Sequence, residues 1–424
     1  MSSIKSNLTI SFFNFSYLFT SNIFKKVLGF FRELILAFIF GSSIIYANYL
    51  LLKTITDFLS QFTFGNALQA NLLPKFSKLF KEYESLNLNR VNIFSKKIAL
   101  LIFIISFIIQ LILIFFLVKK SYLLLIITSL ILSFILSTNF YNSIFLTILQ
   151  AKAEFKKFSI ATSFNVFIAT FFVYPLSFLF SVIGTAISRL LGVLCLTFVY
   201  IKPLLKENKG FEVKISKKDF NVSILFLGNI SLFILLFSRL IIGLNGSNDI
   251  THFNYAFVLL NVILTAFVFN INTILLRDIS VDNNIKSFFI STALLSIIAS
   301  ILYYVIFNYS YNIIEIIYKR GAFNSDDVIA TTFFLKELTV YYIILMFTTL
   351  FFQPFFSLGI EKNSDFAKKL ISVISLVFIF LIIYFFSVEM VYIDACFLFL
   401  KVMSITSLLL SIISHLFFLK NEIS

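Results

Sequence analysis

Tryptophan is absent from this 424-residue chain, and cysteine (2), histidine (2), proline (4) and glycine (11) are scarce. Each shortage removes a class of function. Cys195 and Cys396 both lie inside apolar runs, which excludes a disulfide framework and marks them as small buried hydrophobes. His252 and His415 have no serine, cysteine or paired carboxylate at a recognisable spacing, so no metal cluster or catalytic constellation is expected. Too few glycines remain for a phosphate-cradling loop. Charge is short as well. Only 13% of residues are charged, against about a quarter in a soluble domain. The absences exclude a soluble enzyme with a hydrated surface.

What is present is apolar. Sixty per cent of the residues are hydrophobic, and the mean hydropathy is +1.00. The 60 phenylalanines against no tryptophan, with abundant Ile, Lys and Asn, read as AT-rich codon usage. A crossing takes roughly 20 apolar residues, and only helices or closed barrels satisfy their backbone groups in lipid. The apolar runs are continuous rather than alternating, so the expected fold class is an all-α polytopic membrane protein of about twelve spans in two six-helix lobes around a central cavity. The spans fall at 8–40, 46–74, 97–118, 122–148, 158–180, 182–203, 220–244, 251–276, 286–307, 333–360, 369–387 and 390–418. The first run carries Lys25, Lys26 and Arg32 where a signal-peptide cleavage site would fall, so none is expected.

Basic residues set the orientation. Alternate loops and both ends hold 22 Lys and Arg, and the opposite loops hold 5. By the positive-inside rule both termini lie in the cytoplasm, for which a bacterial inner membrane is the expected setting. This topology also explains the net charge of +14 without a nucleic-acid partner. The most hydrophilic linker lies at mid-chain, which divides the protein into a lobe at 1–204, a basic linker at 205–219 and a lobe at 220–424. Ala70 to Pro74 closes the second span, and Thr273 to Arg277 closes the eighth, 203 residues later, a faint internal repeat.

Seven basic residues fall inside the spans: Lys25, Lys26, Arg32, Lys53, Arg189, Arg239 and Lys401. A charge at the bilayer centre costs at least roughly 2.5–3.5 kcal/mol, so such groups belong in a wet, protein-lined cavity. Lys25, Gly29 and Arg32 share one helical face, Lys26 and Glu33 the next, and Lys53 and Asp57 are an i, i+4 pair. Arg189 and Lys401 are equally readable as side chains reaching the headgroups. Asp326 and Asp327 fall in a polar loop and read as solvated charge. A cationic cavity calls for an anionic cargo, and a pyrophosphate matches the guanidinium fork.

The run from Lys26 through Val27, Leu28, Gly29, Phe30 and Phe31 to Arg32 and Glu33, followed by Ile39-Phe40-Gly41, resembles the opening signature of the MurJ/MviN lipid II flippases. These belong to the superfamily of multidrug and lipid-linked oligosaccharide exporters. The similarity continues through Leu73-Pro74, Val182 to Ala186, Ser238-Arg239, Asn254 to Ala256, Ile274 to Leu276, Tyr318 to Phe323 and Phe356 to Asp365. The resemblance implies a flippase for an undecaprenyl-pyrophosphate-linked cell-wall precursor, working as a monomer without cofactor or metal. It places Lys26 and Arg32 at the family's cavity arginines and Glu33 at the adjacent aspartate, and with the span charges Lys25, Lys53, Asp57 and Arg239 these make up the expected substrate site. Departures also stand out. Ala47 occupies the family's acidic position in the second span, Ser60 and Gln61 its arginine pair, and Phe257 and Val258 its Asp-Arg. Ser238 replaces an acidic sodium-site residue, which removes support for sodium coupling. These losses keep an exporter of another lipid-linked glycan, such as an O-antigen or capsule unit, open as the alternative. The last two of the family's usual fourteen helices have no counterpart in this sequence.

Overall fold

The computed structural model describes residues 2–63, 66–83, 86–117, 122–205, 211–213, 226–263, 285–357 and 360–423, with isolated positions between 264 and 284. The expected mid-chain linker at 205–219 and the Thr273 to Arg277 repeat therefore lie largely outside the described residues. Helices dominate. They are α1 (Ser2–Phe40), α2 (Ile44–Thr63), α3 (Asn66–Glu82), α4 (Asn89–Leu117), α5 (Tyr122–Ala151), α6 (Phe155–Leu196), α7 (Ile230–Gly243), α8 (Asp249–Ile263), α9 (Ile285–Tyr318), α10 (Ser325–Phe351), the short α11 (Gln353–Ser357), α12 (Ile360–Val388) and α13 (Tyr392–Ile423). Among the described residues, seven helical stretches are long and apolar enough to cross a membrane. The chain is a multi-pass membrane protein.

One of those stretches is a hairpin. Helical hydrogen bonding runs from Phe155 to Leu196, but Ser181 has φ 54° and ψ −140°. On a straight helix Asn165 and Gly192 would stand about 40 Å apart at 1.5 Å per residue. Instead a Cβ added to Gly192 would meet the Asn165 carbonyl oxygen at 2.4 Å. Ser177 and Thr185 hydroxyls also meet at 2.8 Å. The chain reverses at Ser181, giving two antiparallel arms that match the expected spans at 158–180 and 182–203. Gly184 permits the reversal, because a Cβ there would fall 1.8 Å from the Leu176 carbonyl oxygen. Beyond Leu196 the second arm loosens into a π-helical turn at Thr197–Ile201.

The chain divides into two compact units. The first contains Met1–Ile39 and Ile55–Phe220, and the second contains Phe40–Thr54 and Asn221–Ser424. In the first, α5 packs against α3, α4 and α6. The α1 helix runs parallel to the first arm of α6: Ser21 donates to the Ser159 carbonyl, Lys25 to Thr162 Oγ1, and the Thr170 hydroxyl to the Leu28 carbonyl. Two residues of the mid-chain stretch, Phe211 and Glu212, pair in parallel with Leu86 and Asn87, and Glu212 forms an ion pair with Arg90.

In the second unit α10 packs against α8, α9 and α13, and α7 packs against α13. The N-terminus of α10 is closed by a capping box, in which Asn324 and Asp327 each accept from the other's backbone N–H. Asp327 is thereby buried, and the solvated loop charge expected from sequence applies only to exposed Asp326. Hydroxyls on the apolar helices turn back on their own backbones. In α13 Ser404, Ser407, Ser411 and Ser414 donate to carbonyls three or four residues earlier.

Candidate functional site

A polar cavity of about 210 Å³ opens inside the first unit. Its polar wall combines Arg32 from α1, Thr56, Asp57 and Ser60 from α2, Asn139 from α5, and Asn165 and Arg189 from the two arms of α6. The rest of the wall is aliphatic, including Leu136 and Val193. The local sequence explains the convergence. Gly184, Thr185, Ala186, Ser188 and Gly192 give the second arm a face of small, buried residues, so it lies close to its neighbours. Arg189 adjoins that face and is brought inside the bundle.

Arg32 has 16% of its side chain exposed, and its Nη2 lies 3.7 Å from Oε1 of Glu33, which is buried. Two guanidinium groups and one carboxylate, Asp57, thus face a single cavity. Guanidinium N–H groups are donors only, an ionised carboxylate is acceptor only, and the amides of Asn139 and Asn165 are both. A cavity of this kind, with polar side chains on its wall, gives the intramembrane charges polar surroundings that lipid denies them.

The other expected site residues lie elsewhere. Lys25 is half-buried on α1, with its Nζ 3.2 Å from Thr162 Oγ1 and 5.9 Å from the centre of the Phe158 ring. Lys26, one residue on, is turned about 100° around the helix and is exposed. Neither lines the cavity. Lys53 is buried and grouped with the second unit.

Arg239 is 1% exposed in the second unit and surrounded by protein groups. Its Nε donates to Thr54 Oγ1 at 2.8 Å, its Nη1 to Asn254 Oδ1 at 2.7 Å, and its guanidinium lies 5.4 Å from the centre of the Phe257 ring. These contacts tie the 40–54 segment to α7 and α8.

Arg189 and Lys401 read alike in the sequence, yet Arg189 lines the cavity and Lys401 is exposed on α13. Asn139 and Asn165 were not singled out from the sequence. The available signal was an amide within an otherwise apolar run.

No protein-family model matches the chain, and no curated protein matches it. The fold does have solved counterparts. It is that of polytopic transporters of the multidrug and lipid exporter type. A multidrug resistance MATE family transporter of the MOP superfamily, in an outward-facing conformation, aligns with a TM-score of 0.60 at 12% identity, covering 96% of this chain and 95% of its own. A MOP superfamily transporter from Pyrococcus furiosus, described as having a binding pocket of reverse polarity, aligns at 0.59 and 12%. The lipid II flippase MurJ, in an inward closed conformation, aligns with a TM-score of 0.69 at 21% identity, covering 94% of this chain and 87% of its own. The chain shares the architecture of these membrane transporters.

Proposed function

We propose that this protein is a flippase that moves a lipid-linked, pyrophosphate-bearing saccharide of the lipid II type across the bacterial inner membrane by alternating access. The observation that carries the reading is the pair of guanidinium groups facing one cavity of about 210 Å³ within a MurJ-like fold. Arg32 binds the phosphate oxygens as a planar fork. Lys25 and Lys26, lower on the same helix, supply positive charge that draws the anionic headgroup inward. Glu33 and Asp57 balance the cations when cargo is absent. Arg239 is better suited to holding the 40–54 segment, and Lys53 adds positive charge beside it. The polyprenyl tail stays in lipid and no bond is broken. Transport then requires cargo or ion to bind the two facing states with different affinity. The protein acts as a monomer with both termini in the cytoplasm.

A second reading keeps the mechanism and changes the glycan. Ser60, which stands where the MurJ/MviN family has an arginine, lines the cavity. The replacement leaves the glycan open, and an O-antigen or capsule unit on the same kind of carrier is the alternative cargo. Expression in strains depleted of each type of flippase separates the two readings. Rescue of the lipid II-depleted strain by the wild type and not by Arg32→Ala is expected. Equal rescue by Arg32→Ala would contradict the assignment of this cavity.

A further inference from the structure

A second cavity of the first unit opens on the flank of the helix bundle. It holds about 590 Å³, within the roughly 300–1,000 Å³ of ligand pockets. The α4 helix supplies Lys96, Leu100 and Phe103, α5 supplies Phe134 and Tyr141, and Thr197 joins them from the end of the second α6 arm. Leu100 and Phe134 are exposed. The two helices run antiparallel here, since the Tyr141 hydroxyl donates to Asn92 Oδ1 and the Phe134 ring meets Phe103 edge-on at 6.4 Å. The groove therefore runs about 10 Å along them, from Lys96 and Tyr141 at one end to the two phenylalanines at the other. Its polarity is graded in the same direction. The hydroxyls on its wall have each spent their hydrogen: Ser137 and Thr138 donate to the Phe134 carbonyl, Tyr141 to Asn92 and Thr197 to Asn142. Their oxygens still accept, and the donor left for a ligand is the Lys96 ammonium. Arg90 is ion-paired with Glu212, whereas Lys96 and Lys97 are exposed and have no carboxylate partner among the described residues.

We propose that this groove holds one anionic phospholipid of the phosphatidylglycerol type, with its phosphodiester against Lys96 and an acyl chain laid along Leu100, Phe103 and Phe134. An apolar trough on an exposed helix face takes a hydrocarbon chain, and lysines at its mouth take an acidic head. The glycerol hydroxyls of such a head donate to the oxygens of Thr138 and Tyr141. An ethanolamine head instead brings an ammonium group close to Lys96 and Lys97 as a like charge. The site goes beyond the proposed function and takes from it only the orientation, in which the Lys96 end of α4 lies at the cytoplasmic leaflet. The lipid also bears on the polar cavity. The Val193 carbonyl lies 2.9 Å from Thr197 Oγ1 and accepts from Asn142 Nδ2 at 3.3 Å, and Val193 lines the cavity at Arg32. A lipid against Thr197 thus braces the arm that carries Arg189.

The test uses the full-length protein purified in detergent and two probes with identical acyl chains, phosphatidylglycerol and phosphatidylethanolamine, each with a photoreactive diazirine in one chain. Native mass spectrometry on the wild type should show one phosphatidylglycerol retained roughly tenfold more tightly than the ethanolamine lipid, as expected where two lysines meet an acidic head. Irradiation should mark peptides of α4 and α5 around Leu100, Phe103 and Phe134. Lys96→Gln should weaken phosphatidylglycerol retention roughly fivefold, the effect of one lysine beside an anionic lipid, and Lys96→Arg should keep it. Lys368→Gln, on α12 and paired with Asp365, is the control and should change nothing. Ala99→Phe fills the groove from the α4 side and should abolish the labelling with Lys96 still in place. Equal wild-type retention of the two lipids overturns the proposal, as does labelling away from the groove, unchanged retention by Lys96→Gln or an equal loss in Lys368→Gln. Labelling that persists in Ala99→Phe overturns it too. Labelling at the groove without rescue of any flippase-depleted strain overturns the transport reading and leaves the lipid site standing. Rescue with no labelling there does the reverse.

Discussion

The Tyr255 hydroxyl donates to the carbonyl oxygen of Gly41 at 2.8 Å, joining residues 214 apart in sequence. Around this bond lies a buried aromatic cluster. Tyr318 donates to the Tyr255 carbonyl, and the Tyr255 ring lies 5.1 Å from that of Tyr318 and 5.3 Å from that of Phe323. Gly41 has φ +52°, and a Cβ there would stand 2.3 Å from the Ala322 carbonyl oxygen. Several stretches that carry the family resemblance, Phe40-Gly41, Asn254 to Ala256 and Tyr318 to Phe323, therefore meet at one point. In this chain these stretches pack against one another, and none of them lines the cavity at Arg32.

Gly41→Ala should be severely destabilising. The left-handed backbone alone costs roughly 1 kcal/mol for a residue with a Cβ, and the overlap with Ala322 is with backbone that has no rotamer to change. Gly29→Ala is the control, since a Cβ there meets nothing within 4 Å. In a helix interior that change should stabilise by roughly 0.5–1 kcal/mol. Melting in detergent should show a large drop for the first variant and a small rise for the second. Matching melting points would refute the packing account.

Gly184→Ala should open the α6 hairpin, because the new methyl would lie 1.8 Å from the Leu176 carbonyl oxygen. The expected result is loss of monodisperse protein on size exclusion. A cysteine pair placed at Ser177 and Thr185, whose hydroxyls touch in the wild type, should cross-link readily in the parent and poorly in the alanine variant. Equal cross-linking in both would show that the arms tolerate the methyl.

Arg239→Met removes two hydrogen bonds to a buried charge and should cost about 3 kcal/mol. Thr54→Val removes one and should cost about 1.5 kcal/mol. Because the two residues share a bond, the double variant should lose clearly less than the sum of the singles. Strict additivity in a denaturation cycle would show that the pair does not act together.

Asn324→Ala should lower stability by about 1 kcal/mol through loss of the α10 cap. Asp327→Ala should cost more. Its carboxylate accepts from the Asn324 N–H at 2.9 Å and also lies 3.9 Å from Nε2 of His252 on α8. If Asp327→Ala proves the milder change, the contact with α8 carries no weight.

Hydropathy alone exposed the seven stretches that are long and apolar enough to cross a membrane among the described residues, and it separated 158–180 from 182–203 even though the helical hydrogen bonding runs on through the turn. A long apolar stretch with a small-residue cluster after Ser181 has few other ways to fit a bilayer. The facing of the charges was less legible. Arg189 and Lys401 occupy similar apolar surroundings in the sequence, and only the packing of small residues on the second arm of α6 turns one inward. Arg239 read as a cavity cation because it is a charge within a span. Its partners, Thr54 and Asn254, come from segments whose proximity no local pattern encodes. Asn139 and Asn165 were silent for the same reason, since an amide carries no charge to mark it.

The serines of α13 show how an oily helix can wear a polar composition. Each hydroxyl spends its one hydrogen on its own turn, so its only donor is already satisfied. Alanine at Ser404, Ser407, Ser411 or Ser414 should accordingly leave membrane insertion almost unaltered. Counting such residues as hydrophilic would therefore overstate the polarity of α13, whereas the polar wall of the cavity at Arg32 is built from side chains whose charges, amides and hydroxyls line open space.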